Sequence, residues 1–93
     1  MEIKHKSNST KGVFFIEKDG FVGAEMSYSK AGESLIIINH TEVKENFKGI
    51  GLGLLLVESA VKYAREHEIK IMPLCPFAAA MFKKHAEFKD VLK

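Results

Sequence analysis

The segment Lys48-Gly49-Ile50-Gly51-Leu52-Gly53 carries three glycines at alternate positions directly before an apolar, helix-forming segment. Glycine lacks a Cβ atom, so the backbone of such a turn can approach a ligand closely. The first N–H groups of the following helix have no partner within it, and the helix dipole adds about half a positive charge there. The turn therefore predicts a phosphate-binding loop, to which Lys48 adds a point charge.

The spacing of the glycines limits which phosphate ligand this loop can hold. A dinucleotide fingerprint needs a third glycine at position 54, which is Leu54, and a P-loop needs a Gly-Lys-Ser/Thr sequence that the chain lacks. Neither NAD nor ATP is favoured. A purely structural turn, in a protein that serves as an interaction domain, stays open as an alternative.

The segments on both sides of the loop have readable periodicities. The apolar residues after the glycines recur at helical spacing, which predicts one helix of about four turns. They are Leu56, Val57, Ala60, Val61 and Ala64. Before the loop, Leu35 to Val43 starts with consecutive apolar residues, and such a run predicts a central strand covered on both faces.

The outer parts of the chain add strands and one more helix. Residues 13–16 and 21–28 are rich in β-formers and flank Asp19-Gly20, a strong hairpin signal, while 3–6 is a weak first strand. Residues 70–72 suit a short strand, and Pro76 suits the first turn of a helix that runs to about His85. This helix is expected to bury Phe77, Ala78, Met81 and Phe82, and 88–93 is a tail or a final turn.

The order is therefore β-β-β-β-α-β-α, an α/β (α+β) fold with a mostly antiparallel sheet of about five strands and two main helices. Its 93 residues, 46% of them hydrophobic, suit one domain over 1–93. The longest apolar run, Ile50 to Val57, is shorter than the roughly 20 residues of a membrane span. We expect a soluble monomer without a membrane partner.

Charge and cysteine content point to a cell compartment and exclude one class of ligand. The 14 Lys+Arg alternate with 12 Asp+Glu, so no basic footprint for nucleic acid is expected. Residues 1–6 lack an apolar signal core, and the single cysteine, Cys75, cannot form an internal disulfide. A cytoplasmic location is the natural expectation.

From Leu35 to Gly53 the chain resembles the GNAT superfamily of acyl-coenzyme A dependent N-acyltransferases. In that family an apolar strand ends near a valine and leads to an aromatic residue, Arg/Gln-x-x-Gly-x-Gly/Ala and a long helix. The matching positions here are Val43, Phe47, Lys48, Gly51 and Gly53. The strand end His40-Thr41-Glu42-Val43 and the segment Pro73-Leu74-Cys75-Pro76-Phe77 look like a small subgroup of stand-alone, minimal GNAT-like domains.

The resemblance implies a minimal GNAT-like fold, acetyl-coenzyme A as cofactor and an unknown amine as acceptor. The amides of Gly49, Ile50, Gly51, Leu52 and Gly53 would hold the pyrophosphate. The pantetheine arm would pair near Val43 and lie between that strand and 71–72, splayed apart. Lys48 replaces the usual Arg/Gln and cannot form a bidentate phosphate contact.

Two further implications concern the acid and the acceptor pocket. Many members have a tyrosine beside the coenzyme at the position of Phe82, and this tyrosine protonates the departing thiolate. A phenyl ring has no proton to give. The two-helix segment in which larger relatives build their acceptor pocket is missing, so the acceptor is unreadable.

Cys75 and His40 are the candidate catalytic residues. Cys75 precedes a helix start, which favours a reactive thiolate, but a free cysteine is also among the most buried residue types. His40 could deprotonate an acceptor amine or the Cys75 thiol, or be an ordinary strand histidine. A metal site of His5, His40, Cys75 and His85 lacks any recognised spacing, and none is expected.

Two functions follow from these residues. The first is an N-acetyltransferase that uses acetyl-coenzyme A. The second is an acyl-coenzyme A binding module that turns over no external acceptor, or that only acylates its own Cys75.

Overall fold

A five-stranded sheet in the order β1-β2-β3-β4-β5 supports every helix of the chain, in a computed structural model that describes residues 2–93. The strands are β1 Ile3–Ser7, β2 Lys11–Lys18, β3 Phe21–Lys30, β4 Leu35–Val43 and β5 Lys70–Pro73. The helices are α1 Leu52–His67 and α2 Pro76–Lys84, and two short 3-10 helices span Glu45–Phe47 and Ala86–Val91. The predicted element order is confirmed.

The first four strands form an antiparallel meander, and β5 joins β4 in parallel after the α1 crossover. Asp19 and Gly20 both have positive φ angles, 53° and 82°, as the tight turn between β2 and β3 requires. The mostly antiparallel sheet and the β2–β3 hairpin are therefore confirmed.

Both helices pack on one face of the sheet. Phe14, Met26 and Ile38 point to this face and share one core with α1, α2 and the C-terminal 3-10 helix. The five apolar α1 residues predicted to be buried all lie in that core. Leu56, Val57, Ala60, Val61 and Ala64 are each at most 1% exposed.

The opposite face, called the outer face below, is covered by no helix of residues 2–93. Side chains alternate between the two faces along each strand, so every second residue points to the outer face. The outer face carries Val13, Phe15, Glu25, Ser27, His40 and Glu42. The prediction that β4 is covered on both faces is thus wrong: Ile36 and Ile38 are buried, whereas Leu35 and Ile37 are only half-buried. Packing of all helices on one side is the physical reason.

The C-terminal part departs from prediction at Phe77. Phe77 is 38% exposed instead of buried, because its ring lies against α1 at Gly53 rather than in the core. Of the two alternatives for residues 88–93, a tail or a final turn, the structure has the final turn, since Phe88 and Val91 are buried and the Lys93 N–H donates to the Ile71 carbonyl at 2.9 Å. Among residues 2–93, no helix has both the length and the hydropathy that a bilayer crossing needs.

Candidate functional site

The glycines of the loop serve different purposes. Gly49 and Gly51 have φ angles of +86° and +79°, and a Cβ atom added to either would meet nothing within 4 Å. Backbone conformation therefore requires glycine at these two positions. Gly53 lies inside α1, where an added Cβ would overlap the Phe77 ring. Only the first two glycines shape the turn, and the third lets α2 approach α1.

The loop presents a run of free backbone donors. The first helical hydrogen bond of α1 runs from the Leu55 N–H to the Gly51 carbonyl at 3.2 Å. The six N–H groups of residues 49 to 54 donate to no backbone acceptor within residues 2–93. They gather at the positive end of a 16-residue helix. Such an end is suited to an anion.

Phe47 and Lys48 connect this loop to the sheet. The Phe47 ring covers Gly23 of β3 so closely that no Cβ atom would fit there. The Lys48 ammonium lies 3.1 Å from the Glu45 carboxylate, and both side chains are exposed. Ile50 is 60% exposed and is not part of the groove described below. Phe47 thus anchors the loop, while Lys48 stays at its surface.

β4 and β5 separate beside the loop. Their pairing ends at Ile38 and Pro73, and the Ile38 carbonyl then accepts both the Leu74 and the Cys75 N–H groups, at 3.0 and 3.1 Å. A bulge at Asn39 shifts the β3–β4 register. The rest of β4 therefore runs without a neighbour on its β5 side.

The free edge of β4 presents the polar groups of Thr41 and Val43. The Lys44 N–H donates to the Gly23 carbonyl of β3 at 2.8 Å. Because antiparallel residues alternate between bonding to a partner strand and pointing away from it, the N–H and C=O groups of Thr41 and Val43 point away from β3.

One groove of about 330 Å³ runs along the glycine loop between β4 and α2. It brings together most of the cofactor residues predicted from sequence, namely Val43, Phe47, Lys48, Gly49, Gly51, Leu52 and Gly53. Phe82 is not among its lining residues, since it is 2% exposed and packs in the core with its ring centroid 5.8 Å from that of Phe88. Phe77, Met81, Lys84 and His85 of the α2 region form the other wall.

Cys75 lies at the start of α2, on the core side of the free β4 edge. Its thiol donates to the Thr41 hydroxyl at 3.3 Å, and its sulfur accepts from the Ala78 N–H at 3.5 Å. The residue is 4% exposed. Cys75 is therefore an N-cap of α2 that also touches the strand edge.

His40 lies on the other side of β4. It is paired with Ser27 on the outer face, whereas the next residue, Thr41, is paired with the buried Met26. Adjacent residues of a strand point to opposite faces. The structure therefore does not bring the His40 imidazole and the Cys75 thiol together.

Of the other histidines, His85 lines the groove and His5 lies away from it on β1. His5 accepts or donates a hydrogen bond of 2.6 Å with the Tyr28 hydroxyl and stacks on Phe14. Burial lowers the pKa of His5, and the positive charge of Lys30 lowers it further. Residues 2–93 contain no group of three or more metal-ligating side chains close enough to hold an ion.

The sequence does not identify several residues that lie in or beside the groove. Thr41 escaped because the bulge at Asn39, which turns it toward Cys75, leaves no mark in the sequence. The sequence predicts Phe77 in the core, and the structure places both Phe77 and Lys84 in the groove wall. The signal for Phe77 was present, since a glycine inside a helix often marks a close approach.

Comparison with known proteins gives a consistent family. A sequence model of the GCN5-related N-acetyl-transferases matches residues 13–91. The solution structure of a GCN5-like protein of Staphylococcus aureus, described as a candidate N-acetyltransferase, is 31% identical, covers 97% of this chain and 87% of that one, and has a TM-score of 0.69. No curated protein matches the sequence.

More distant structures share the fold alone. The ribosomal-protein-alanine N-acetyltransferase of Brucella melitensis is 14% identical over 83% of this chain and 62% of its own, with a TM-score of 0.70. AAC(6')-Iy, solved with a bisubstrate analogue of coenzyme A, is 12% identical over 87% of this chain and 62% of its own, with a TM-score of 0.57. This chain thus spans about three fifths of the length of these two proteins.

Proposed function

This chain belongs to the GCN5-related N-acetyltransferase family, and on that premise we propose that it binds acetyl-coenzyme A in the groove beside the glycine loop and transfers the acetyl group to an amine. The observation that carries this proposal is the continuity of one groove. It joins the free amides of residues 49 to 54 to the unpaired edge of β4 at Val43.

The glycine loop binds the pyrophosphate in this proposal. Free N–H groups donate hydrogen bonds to the phosphate oxygens, and the α1 dipole stabilises their charge. Lys84 and His85, which line the opposite wall, supply further donors. Lys48 acts through its charge alone and is partly compensated by Glu45 at 3.1 Å.

The free β4 edge binds the amide-bearing arm of the coenzyme. Thr41 and Val43 have N–H and C=O groups without a neighbouring strand, and an arm with its own amides can pair with them as a strand would. The apolar rings of Phe47 and Phe77 flank this path. We place the acetyl thioester near Thr41, where β4 and β5 separate.

The bound coenzyme supplies an acetyl group activated as a thioester. His40, on the outer side of the same edge, takes the proton of the acceptor amine. The amine nitrogen forms a bond to the acetyl carbon while the carbon–sulfur bond breaks, and the sulfur leaves as a thiolate that takes up a proton. The Thr41 hydroxyl and the Cys75 thiol, 3.3 Å apart on the core side, carry protons that can reach it.

A paired glycine substitution tests the coenzyme site. Gly51→Glu puts a carboxylate into the anion site, and we expect it to abolish acetyl-coenzyme A binding in a calorimetric titration. Gly32→Glu is the matched control, because Gly32 has a similar φ of +80° and an equally open Cβ position outside the groove. Equal loss in both variants, or no loss in Gly51→Glu, would overturn the proposal.

Self-acylation of Cys75 is the second candidate, in a module that binds acyl-coenzyme A without an external acceptor. The contact between the Cys75 sulfur and Thr41 at the free strand edge favours it, while the 4% exposure of Cys75 opposes it. Mass spectrometry after incubation with acetyl-coenzyme A separates the two functions. A single acetyl adduct that Cys75→Ala eliminates supports the second, and amine turnover that persists in Cys75→Ala supports the first.

The remaining sequence expectations stand as part of this proposal. We expect the protein to be cytoplasmic and monomeric, with neither nucleic acid nor a membrane as a partner. Native mass spectrometry and light scattering at micromolar concentration test the oligomeric state.

A further inference from the structure

A second cavity, called the hairpin cavity below, adjoins the glycine loop. It has a volume of about 600 Å³ and contacts the β2–β3 turn, the residues that follow β4 and the tip of the loop. Three of its lining residues are apolar and exposed, namely Phe21 at 75%, Ile50 at 60% and Val22 at 37%. Exposed apolar side chains that cluster within a polar rim are typical of a binding surface. The complete lining is Lys18, Asp19, Phe21, Val22, Lys44, Asn46, Phe47 and Ile50.

The hairpin cavity and the coenzyme groove share residues of one wall. Phe47 lines both of them. Along the glycine loop, Gly49 and Gly51 line the groove, whereas Ile50 between them lines the hairpin cavity. A ligand whose phosphates lie on the loop amides can therefore extend past Ile50 into the hairpin cavity. The volume of this cavity lies within the range of small-molecule sites.

The uncharged side chains of the hairpin cavity suit a purine base. Phe21 offers an exposed aromatic ring, and nucleic-acid bases stack on such rings. Asn46 is exposed in the same lining, and its amide carries both a donor and an acceptor. These two groups match the N6 and N7 positions of adenine. The cavity thus combines a stacking surface with a partner for the edge of the base.

The charges of the hairpin cavity suit a phosphate. Lys18 and Lys44 line it together with one carboxylate, that of Asp19. The Lys44 ammonium has the Glu42 carboxylate at 3.6 Å, whereas Lys18 forms no ion pair within residues 2–93. A phosphate monoester carries about 1.5 to 2 negative charges at neutral pH. Lys18 is therefore the cation that is most available to such a group.

We propose that the hairpin cavity binds the adenosine 3′-phosphate end of the coenzyme, with the base on Phe21 and the 3′-phosphate beside Lys18 and Lys44. This proposal rests on the coenzyme site proposed above. It assigns the nucleotide to the β2–β3 turn, away from Lys84 and His85 at the other wall of the groove. The hairpin cavity thus selects the complete coenzyme over a phosphopantetheine thioester that lacks the nucleotide.

Three ligands of decreasing size test this assignment by calorimetric titration. They are acetyl-coenzyme A, its 3′-dephospho form and S-acetyl-4′-phosphopantetheine, which lacks the whole nucleoside. We expect loss of the 3′-phosphate to weaken binding about three- to fivefold, the effect of exposed charge pairs. Loss of the nucleoside should weaken binding by about a further tenfold, because base stacking is lost. Lys18→Gln/Lys44→Gln should weaken acetyl-coenzyme A by about the first factor and leave the 3′-dephospho form unchanged.

Two further variants separate the base from the phosphate. Phe21→Ser should weaken both nucleotide ligands about tenfold and leave S-acetyl-4′-phosphopantetheine unchanged, which also shows that the groove is still folded. Asp19→Asn removes the carboxylate of the lining and should strengthen acetyl-coenzyme A binding about twofold, without an effect on the 3′-dephospho form. The charge-matched control is Lys62→Gln/Lys89→Gln, at exposed positions outside both cavities, and it should change none of the three affinities.

The outcomes separate this proposal from the proposed function. If the wild-type protein binds none of the three ligands, the coenzyme site fails and the nucleotide assignment fails with it. If S-acetyl-4′-phosphopantetheine binds as tightly as acetyl-coenzyme A, the nucleotide assignment is overturned while the groove stands. It is overturned as well if Lys84→Gln, and not Lys18→Gln/Lys44→Gln, removes the contribution of the 3′-phosphate.

Discussion

The two faces of β4 are built on different principles. On the core side, the strand continues into packed side chains, a buried thiol and a loop with six free amides. On the outer side, the same strand presents His40 and Glu42 to solvent without a covering helix. Rigid packing on one face and open polar surface on the other suit a coenzyme site and an acceptor site, respectively. In the proposed function, a single strand separates the two substrates.

The largest test of this contrast compares neighbouring isoleucines on opposite faces. Ile38 is 0% exposed, and Ile38→Ala should cost about 2–5 kcal/mol of unfolding free energy, because it removes buried methyl groups and leaves a cavity. Ile37→Ala, on the half-buried outer side, should cost less than about 1.5 kcal/mol. Urea denaturation measures both. Equal losses would show that the outer face is covered in solution.

The contact of α1 with α2 gives the next largest effect. Gly53→Ala puts a methyl group into the Phe77 ring, which has to shift, while alanine favours the helix by about 1 kcal/mol over glycine, so we expect a net loss of at most about 1 kcal/mol. Phe77→Ala in the same chain should restore part of the loss, since it removes the ring that is overlapped. Thermal unfolding of the four members of this cycle measures the coupling. Additive effects would contradict the contact.

The pH is expected to have a smaller effect on stability, through His5 of β1. Burial lowers the pKa of His5 below its ordinary value, with Lys30 and His67 adding to the shift. The unfolded chain therefore takes up the proton first, so stability is full above the ordinary histidine value and falls as the pH drops toward the lowered one. His5→Gln should flatten the dependence of the urea midpoint between about pH 7 and 5. A steeper slope in the variant would reverse this assignment.

The smallest effect concerns an ion pair on the outer face. The Lys4 ammonium lies 2.8 Å from the Glu17 carboxylate, with both side chains exposed. Surface pairs of this kind contribute little to stability. Lys4→Ala should leave the urea midpoint unchanged within error, and a clear decrease would show that this strand edge is shielded from solvent.

Local patterns were sufficient for most of the fold. Three of these patterns act over only a few residues, and the structure confirms all three. They are the helical spacing of Leu56 to Ala64, the Asp19-Gly20 turn and Pro76 at a helix start. The coverage of β4 was misjudged, because a run of apolar residues does not say how many helices the chain has to cover it. That property depends on the whole topology.

The candidate site was predictable in its backbone part and less so in its side chains. The roles of Gly49 and Gly51 were predictable, because a tight turn before a helix needs a backbone conformation that only glycine adopts easily. The separation of His40 from Cys75 depends on a one-residue bulge at Asn39, which reverses the facing of everything after it. For Phe82 the sequence predicted both burial in the core and a place beside the coenzyme, and the structure has it in the core against Phe88.

An NMR titration tests whether the glycine loop binds the coenzyme. Acetyl-coenzyme A is added to the isotope-labelled protein while every backbone amide is followed. We predict saturable shifts of the amides of residues 49 to 54, together with Thr41 and Val43, and small changes at Val13 and Phe15 of the outer face. If the amides of residues 49 to 54 do not respond at millimolar acetyl-coenzyme A, the glycine loop is not a coenzyme site and the account is wrong.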